Sequence, residues 1–557
     1  MHMLLIGGLV ALGSRLVGAH PPPHPQPHPS PKECLDVYDY IVVGGGPAGI
    51  IAAERLAEAK KHVLLLERGP GPTVDYGATP LSWNDTLTAP DVPGLYNSYG
   101  NMDLFTSYIC DDTAGTAACV LGGGCTVNQM VFIHPQQADF NDKWPAGWLW
   151  KDVQPAADRL YARNPGTELP SADGQRYDYD LYGILAGFFE SIGWKSVDQI
   201  KQPDEKHQVY SYPVWNVKDQ KRAGPLRTYL PLAQELDNFT LRLESKVIRI
   251  LRAGPKVIGV ELETASGSEI VRLAPGGKVI LAAGALSTPR LLFNSGIGPR
   301  AEIAKAQQAG IAVPPERDWI SLPVGVGVMD HPIFYIDVQT NGSFLNVNAT
   351  AEFIGTDTSN IDAYEQRSSG VLTQGRDRLT FWTSQVGTDG VTRFFQGSAG
   401  GADSTGVIEI IAYITHGLTS AGTLVLNDAG NATEFETSPY LQTQGDRDAA
   451  IWFLQQMFDF FQNPAADFSI LEYTNVTALM DSYTPGIHYV HTAKMGLDDG
   501  RLPGGTSVVD TNTKVYGTDN LYIVDGSIHP DLPTGNTQAI VMIVAEAAVA
   551  KILEAEC

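Results

Sequence analysis

The residues Gly44-Gly45-Gly46-Pro47-Ala48-Gly49 set glycines at the spacing that lets a backbone wrap a pyrophosphate. Gly44 permits the tight turn, Gly46 lets the chain approach the phosphates, and Gly49 allows a close-packed helix. The N-terminus of the helix that follows favours negative charge. Eighteen residues past Gly49 stands Glu67, an acid suited to a ribose diol and repelling a 2′-phosphate, with Arg68 beside it. This is the chemistry of dinucleotide binding, although the turn alone does not name the dinucleotide. A second loop, Leu121-Gly122-Gly123-Gly124-Cys125-Thr126-Val127-Asn128, lets the backbone lie against a flat ligand, and Asn128 can both donate and accept in-plane hydrogen bonds. Two histidines in GIHYVHTAKMG, His488 and His491, are candidate bases, because a neutral imidazole near its normal pKa can take a proton at working pH.

These residues need a frame. Tyr38 to Val43 (YDYIVV) reads as a buried strand running straight into the glycine turn, IIAAERLAEA as the helix behind it, and HVLLL as a second strand ending at Glu67. Further apolar strands at Lys278–Leu281 and Leu521–Val524 lead into Ala282-Ala283-Gly284 and Asp525-Gly526. The nucleotide fold is thus scattered over nearly the whole chain. IEIIAYIT and TLVLND, separated by HGLTSAG, read as adjacent strands joined by a turn in a separate sheet. The aromatic residues Phe381, Trp382, Phe394, Phe395, Trp452 and Phe453 read mostly as core.

The chain has 557 residues, and its 38 Lys plus Arg against 62 Asp plus Glu give a formal charge of −24. A surface that negative repels phosphate backbones and anionic lipid, which argues against nucleic-acid and membrane partners. Leu4 to Leu12 is too short to span a bilayer and suits a signal peptide over residues 1–19, followed by a Pro/His-rich linker at 20–34. The linker's three histidines have no fixed geometry, and no cysteine spacing resembles a zinc site, so no metal is expected. Sequons at Asn84, Asn238, Asn341, Asn348, Asn431 and Asn475 agree with secretion. Of five cysteines, Cys110 and Cys119 flank a short polar loop and can form a bridge, Cys34 and Cys557 could meet at the chain ends, and Cys125 reads as a buried thiol.

Four blocks in order, GGGPAG with Glu67, LGGGCTVN, GALSTPRLLFNSGIGP and VYGTDNLYIVDGSIHPDLPTGN, resemble the glucose–methanol–choline (GMC) family of FAD-dependent oxidoreductases from about Tyr38 to Leu553. Within it, Ser369–Gly397 and Leu532–Gln538 look like the flavin-bearing part of fungal cellobiose dehydrogenase. The resemblance implies FAD held through Gly44, Gly46, Pro47, Ala48, Gly49, Glu67 and Arg68, with adenine near Val247. It sets Gly122, Gly123, Gly124 and Asn128 along the flavin, and Asp525 and Gly526 by the pyrophosphate and ribityl chain, with Asn536 and Thr537 beside the ring. Val127 stands where some relatives tether FAD through a histidine, so non-covalent FAD is expected. His488 matches the family's base and Asn536 its partner: the base removes a hydroxyl proton while the amide holds the developing alkoxide. His491 reads as a wall residue, and His331 and His529 match structural positions.

The implied fold is α/β (α+β overall). A Rossmann-like FAD-binding domain is assembled from 35–150, 220–310 and 485–557, and a substrate domain on an antiparallel sheet from 151–219 and 311–484. The implied activity is oxidation of a CH–OH group of a saccharide or other small alcohol, with oxygen or a quinone as electron acceptor. A redox-neutral lyase or cyclase that retains FAD and an aryl-alcohol oxidase are the alternatives. Gly486-Ile487 replaces a Ser-Asn pair that grips sugar in the cellobiose enzymes, which favours a less polar or differently held substrate.

Overall fold

The computed structural model describes residues 37–96, 104–177, 180–265, 267–342, 344, 349–402, 406–462 and 467–555. The signal peptide, the linker, Cys34, Cys557 and the Asn348 sequon lie outside them. Among the described residues no helix is long and apolar enough to cross a membrane.

Five parallel strands form the nucleotide-binding layer, in the order Phe239–Arg242, Val63–Leu66, Tyr38–Val43, the end of Gly267–Leu281, and Leu521–Ile523. All but the first are short β-branched and leucine-rich runs buried on both faces, the signature of a parallel sheet covered by helices. Register sets Val43 opposite both Leu66 and Leu281, and Leu281 opposite Ile523. The glycine turn, Glu67, Ala282 and Asp525 therefore leave the sheet at one carboxyl edge, where ligands bind in open α/β folds. Helix Pro47–Glu58 starts at Gly46, and its apolar residues share one core with helix Gln538–Glu554. The start of Gly267–Leu281 instead pairs antiparallel with Lys256–Thr264, which pairs with Val247–Ala253.

A second, eight-stranded and mostly antiparallel sheet runs in the order Phe468–Ile470, Pro332–Thr340, Val407–Ile414, Thr392–Gly401, Asp377–Val386, Val209–Ser211 and Lys195–Ser196, with Thr484–Pro485 against Pro332–Ile333. Strand periodicity divides its faces. Phe334, Ile336, Val338, Ile410, Ala412 and Phe395 pack with helices Leu181–Ser191 and Gln444–Phe461. Ile333, Tyr413 and Gln396 lie in one row across three strands on the opposite face. Phe381, Trp382, Phe395 and Phe453 are buried, while Phe394 and Trp452 are half-buried.

Two expectations are corrected. IEIIAYIT and TLVLND do not pair: Val407–Ile414 lies inside the large sheet, whereas Gly422–Leu426 joins a separate sheet with Val326–Val328 and Thr433–Thr437. The intervening segment is held elsewhere, His416 by the carbonyl of Leu532 and the backbone N–H groups of Thr419 and Ser420 by the buried Asp446 carboxylate. Helix Trp150–Arg163 does not belong to the substrate domain, because Val153, Ala157 and Leu160 pack into the core of the nucleotide-binding layer. That domain's first segment begins after this helix.

Candidate active site

A cleft of about 200 Å³ opens at the carboxyl edge of the parallel sheet. Gly44, Gly46, Pro47, Ala48, Glu67, Arg68, Gly123, Gly124, Val247, Asp525 and Gly526 border it. Gly44 has φ +109°, and a Cβ there would sit 2.4 Å from the carbonyl oxygen of Ala282. A Cβ on Gly49 would meet the Gly44 carbonyl oxygen at 1.9 Å, so this glycine serves helix packing instead of lining the cleft. Gly46 and Gly124 are different: a Cβ on either meets nothing within 4 Å, so both backbones face open cleft. That bare backbone beside a helix N-terminus fits a dinucleotide pyrophosphate. Gly122 and Gly123 take φ of +91° and +55° to shape the second loop, and Gly123 packs on Gly46.

Three cofactor-site side chains are already engaged within the chain. Glu67, 5% exposed, accepts from the backbone N–H of Gly45 at 2.7 Å and of Gly69 at 2.8 Å, so it braces the glycine turn as it borders the cleft. Burial raises its pKa against those two hydrogen bonds. Arg68 donates to Asp112 at 2.7 Å, and Arg290 pairs with the same carboxylate at 2.8 Å. Asp112 lies in the loop closed by the Cys110–Cys119 disulfide, and the two guanidiniums hold its carboxyl far below the usual range. Asp525 accepts from Ser527 N, Ser527 Oγ, Gly284 N and Thr288 Oγ1, which ties the ends of two parallel strands together.

A second cavity of about 270 Å³ shares Pro47, Ala117, Ala118, Gly124 and Val541 with the cleft. His488, Asn536, Thr537 and Asn128 lie on its wall. The Asn128 amide is not free for a ligand: its Nδ2 donates to Gln538 Oε1 at 3.0 Å, and its Oδ1 accepts from Met130 N and Arg222. Asn536 is oriented by Gln396, whose Nε2 donates to Asn536 Oδ1 at 3.0 Å, turning Asn536 Nδ2 toward His488 Nε2 at 3.3 Å. A donor facing Nε2 makes that nitrogen the lone-pair atom. Neutral His488 therefore carries its proton on Nδ1 and donates it to His331 Nδ1 at 3.0 Å. Burial holds the His488 pKa down at about 4, so the ring is a free base at neutral pH.

Asp330 fixes the two imidazoles from behind. Its Oδ1 accepts from the backbone N–H of His331 at 2.9 Å and of His488 at 2.7 Å. Its Oδ2 accepts from Ile487 N at 3.1 Å and from the Tyr440 hydroxyl at 2.5 Å. Burial lifts its pKa to about 6 against these donors. Asp330, Tyr440 and Gln396 were not singled out from sequence; only Asp330 carried a signal, its place beside His331 in MDHP. His491 Nδ1 donates to the Pro530 carbonyl at 3.0 Å, and the residue borders a separate surface recess. His529 is fully buried against the edge of Trp144. Neither lines the cavity.

A parallel-sheet cleft for a dinucleotide, continuous with a cavity holding a neutral imidazole, defines a dinucleotide-dependent oxidoreductase. The chain belongs to the GMC oxidoreductase family: residues 38–333 match its N-terminal profile and 419–545 its C-terminal profile. It is an FAD-dependent enzyme of that family. It is similar to an uncharacterized GMC-type oxidoreductase of Rhodococcus erythropolis, at 27% identity over 93% of this chain and 99% of the relative. An oxygen-dependent choline dehydrogenase of Photobacterium profundum is 24% identical over 93% of each chain. The crystal structure of pyridoxine 4-oxidase from Mesorbium loti superposes with a TM-score of 0.71 at 20% identity, covering 93% of this chain and 99% of that one.

Proposed function

We propose that this enzyme oxidises the CH–OH group of a small alcohol to a carbonyl, with His488 as the base and Asn536 as the oxyanion donor. The observation that carries the reading is the wall shared by His488 Nε2 and Asn536 Nδ2 in a cavity continuous with the dinucleotide cleft. Bound FAD supplies the hydride acceptor. The base takes the hydroxyl proton at Nε2, and the resulting imidazolium keeps its Nδ1 proton on neutral His331. Asn536 steadies the alkoxide as charge develops. FAD is held non-covalently, since Val127 offers no nucleophile at the tethering position.

Gly486 and Ile487 stand on the cavity wall in place of the sugar-gripping Ser-Asn pair, which supports a less polar or differently held alcohol despite the cellobiose dehydrogenase-like segments. Oxygen or a quinone accepts the electrons afterwards. The protein is secreted: the apolar leader, the disulfide and the exposed sequons Asn341, Asn431 and Asn475 support this. Asn238 is a poor glycan acceptor, because its amide donates to the carbonyls of Ala57 and Lys61.

Anaerobic mixing of the yellow holoenzyme with aryl, alkyl and sugar alcohols tests the reading. Bleaching of the flavin by at least one alcohol class is the expected result. A flavin that every alcohol leaves oxidised, yet dithionite reduces, would contradict it and favour redox-neutral chemistry.

A further inference from the structure

The stretch Asp111-Asp112-Thr113-Ala114-Gly115-Thr116-Ala117-Ala118 lies between the two cysteines of the disulfide. None of these residues has a large apolar side chain, so burial of its own surface cannot hold the loop in one shape. The neck is fixed by the disulfide and by two backbone hydrogen bonds, Cys110 N to the carbonyl of Ala117 at 2.9 Å and Cys119 N to that of Tyr108 at 2.7 Å. The tip is fixed by charge. Asp112 pairs with Arg68 at 2.7 Å, Arg290 at 2.8 Å and Lys246 at 3.5 Å, and these three residues border the cleft from three separate segments. Farther along, Ala114 N donates to Thr433 Oγ1 at 3.0 Å. Gly115 packs so closely on Tyr489, the neighbour of the base, that a Cβ would stand 2.4 Å from its hydroxyl oxygen.

The loop stands where the two hollows meet. Cys110, Ala117, Ala118 and Cys119 border the cleft, while Ile109, Thr116, Ala117 and Ala118 border the cavity. Every residue from Thr113 to Cys119 is half-buried, so one side of the segment faces the hollow and the other meets solvent. A single layer of chain therefore separates the dinucleotide site from water here. We propose that this loop is the latch that retains the dinucleotide, and that closure of the Cys110–Cys119 disulfide sets it. The inference rests on the non-covalent FAD reading. Asp112 hooks the tip onto the rim of the cleft, but partly exposed ion pairs are weak when the chain that carries them is free to move. The crosslink removes that freedom from a segment of small residues, so the hook closes at little entropic cost. The chain holds its cofactor firmly only after the bridge has formed.

The test follows release of FAD from the diluted holoenzyme, read as the rise of free-FAD fluorescence. The double variant Cys110→Ser/Cys119→Ser is expected to release FAD about tenfold faster than the wild type, with tryptophan emission unchanged over the same interval. In the wild type, tris(2-carboxyethyl)phosphine opens the S–S bond to two thiols as the phosphine takes oxygen from water, and the same acceleration is expected. Once the phosphine is removed, oxidised glutathione closes the bridge by disulfide exchange, leaving two reduced glutathiones, and slow release should return. These wild-type arms decide the matter if the double variant does not fold. Release no faster without the bridge, acceleration by the phosphine but not in the folded variant, or release in step with loss of the native tryptophan emission each overturns the proposal. FAD that stays with acid-precipitated wild-type protein overturns the non-covalent reading and the latch with it. FAD freed by acid, but released at a rate insensitive to the bridge, overturns the latch alone.

Discussion

His488 is half-buried on the cavity wall and His416 is buried, and the two meet opposite electrostatics. His488 has side-chain partners that are neutral, His331 and Asn536, and the one carboxylate nearby, Asp330, is spent on backbone N–H groups and a tyrosine hydroxyl. Its pKa falls to about 4. His416 stands among Asp142 at 3.3 Å, Asp531 at 3.4 Å and Asp139 at 3.8 Å, and these carboxylates lift its pKa to about 9 against the opposing effect of burial. The same ring is a base in one place and a fixed cation in the other. Burial alone lowers the pKa of His488, and at His416 three carboxylates override the same effect. His416 and Lys143, which pairs with Asp531 at 3.0 Å, act as the counter-charges of that cluster. Asp139 also accepts from the N–H and hydroxyl of Thr534, so the cluster anchors the loop that carries Asn536.

The comparison can be broken at its strongest point by His488→Ala, for which the flavin reduction rate should fall by about 10²–10⁴-fold with melting little changed. Anaerobic stopped-flow measures it. His416→Gln attacks the other end: the buried Asp139 and Asp531 lose the imidazolium and keep only Lys143 on Asp531, and stability at pH 7 should drop by about 3 kcal/mol, seen as an earlier denaturation midpoint. The wild-type pH dependence sharpens the same contrast. A histidine with a raised folded pKa stabilises fully below its unfolded value near 6.5 and loses that contribution as pH rises through about 9. Melting temperature should therefore decline from about pH 6.5 to 9 in the wild type, and this part of the decline should vanish in His416→Gln. Asp330→Asn is the mildest: it puts an amide N–H against backbone donors, and a loss of about tenfold in reduction rate is expected as the imidazoles lose their anchor.

The sequence made the nucleotide half legible because its signals are local. Strand, turn, helix and acid follow one another within thirty residues, and Gly44, Gly46 and Gly49 each have a steric reason to be glycine. His488 and Asn536 were nominated by family resemblance, not by spacing, since 48 positions separate them. The tautomer of the base could not be read at all. It depends on Gln396, Asn536 and His331, which come from three distant segments and meet only when the two sheets face each other. The hairpin misreading has the same origin: HGLTSAG looks like a turn, but His416 is captured by acids more than a hundred residues away, Asp142 on one segment and Asp531 on another. Glu67, Asn128 and Asp525 were recognisable as site residues, while the intramolecular donors that occupy them were not.

The most direct test of the account is the pH dependence of anaerobic flavin reduction by a reactive alcohol, in the wild type and in His488→Ala. A base already neutral well below pH 7 predicts a rate constant that is flat from about pH 6 upward and falls below about pH 5, with His488→Ala slow at every pH. A wild-type rate that keeps climbing through pH 8, or a His488→Ala variant that reduces the flavin as fast as the wild type, would contradict it.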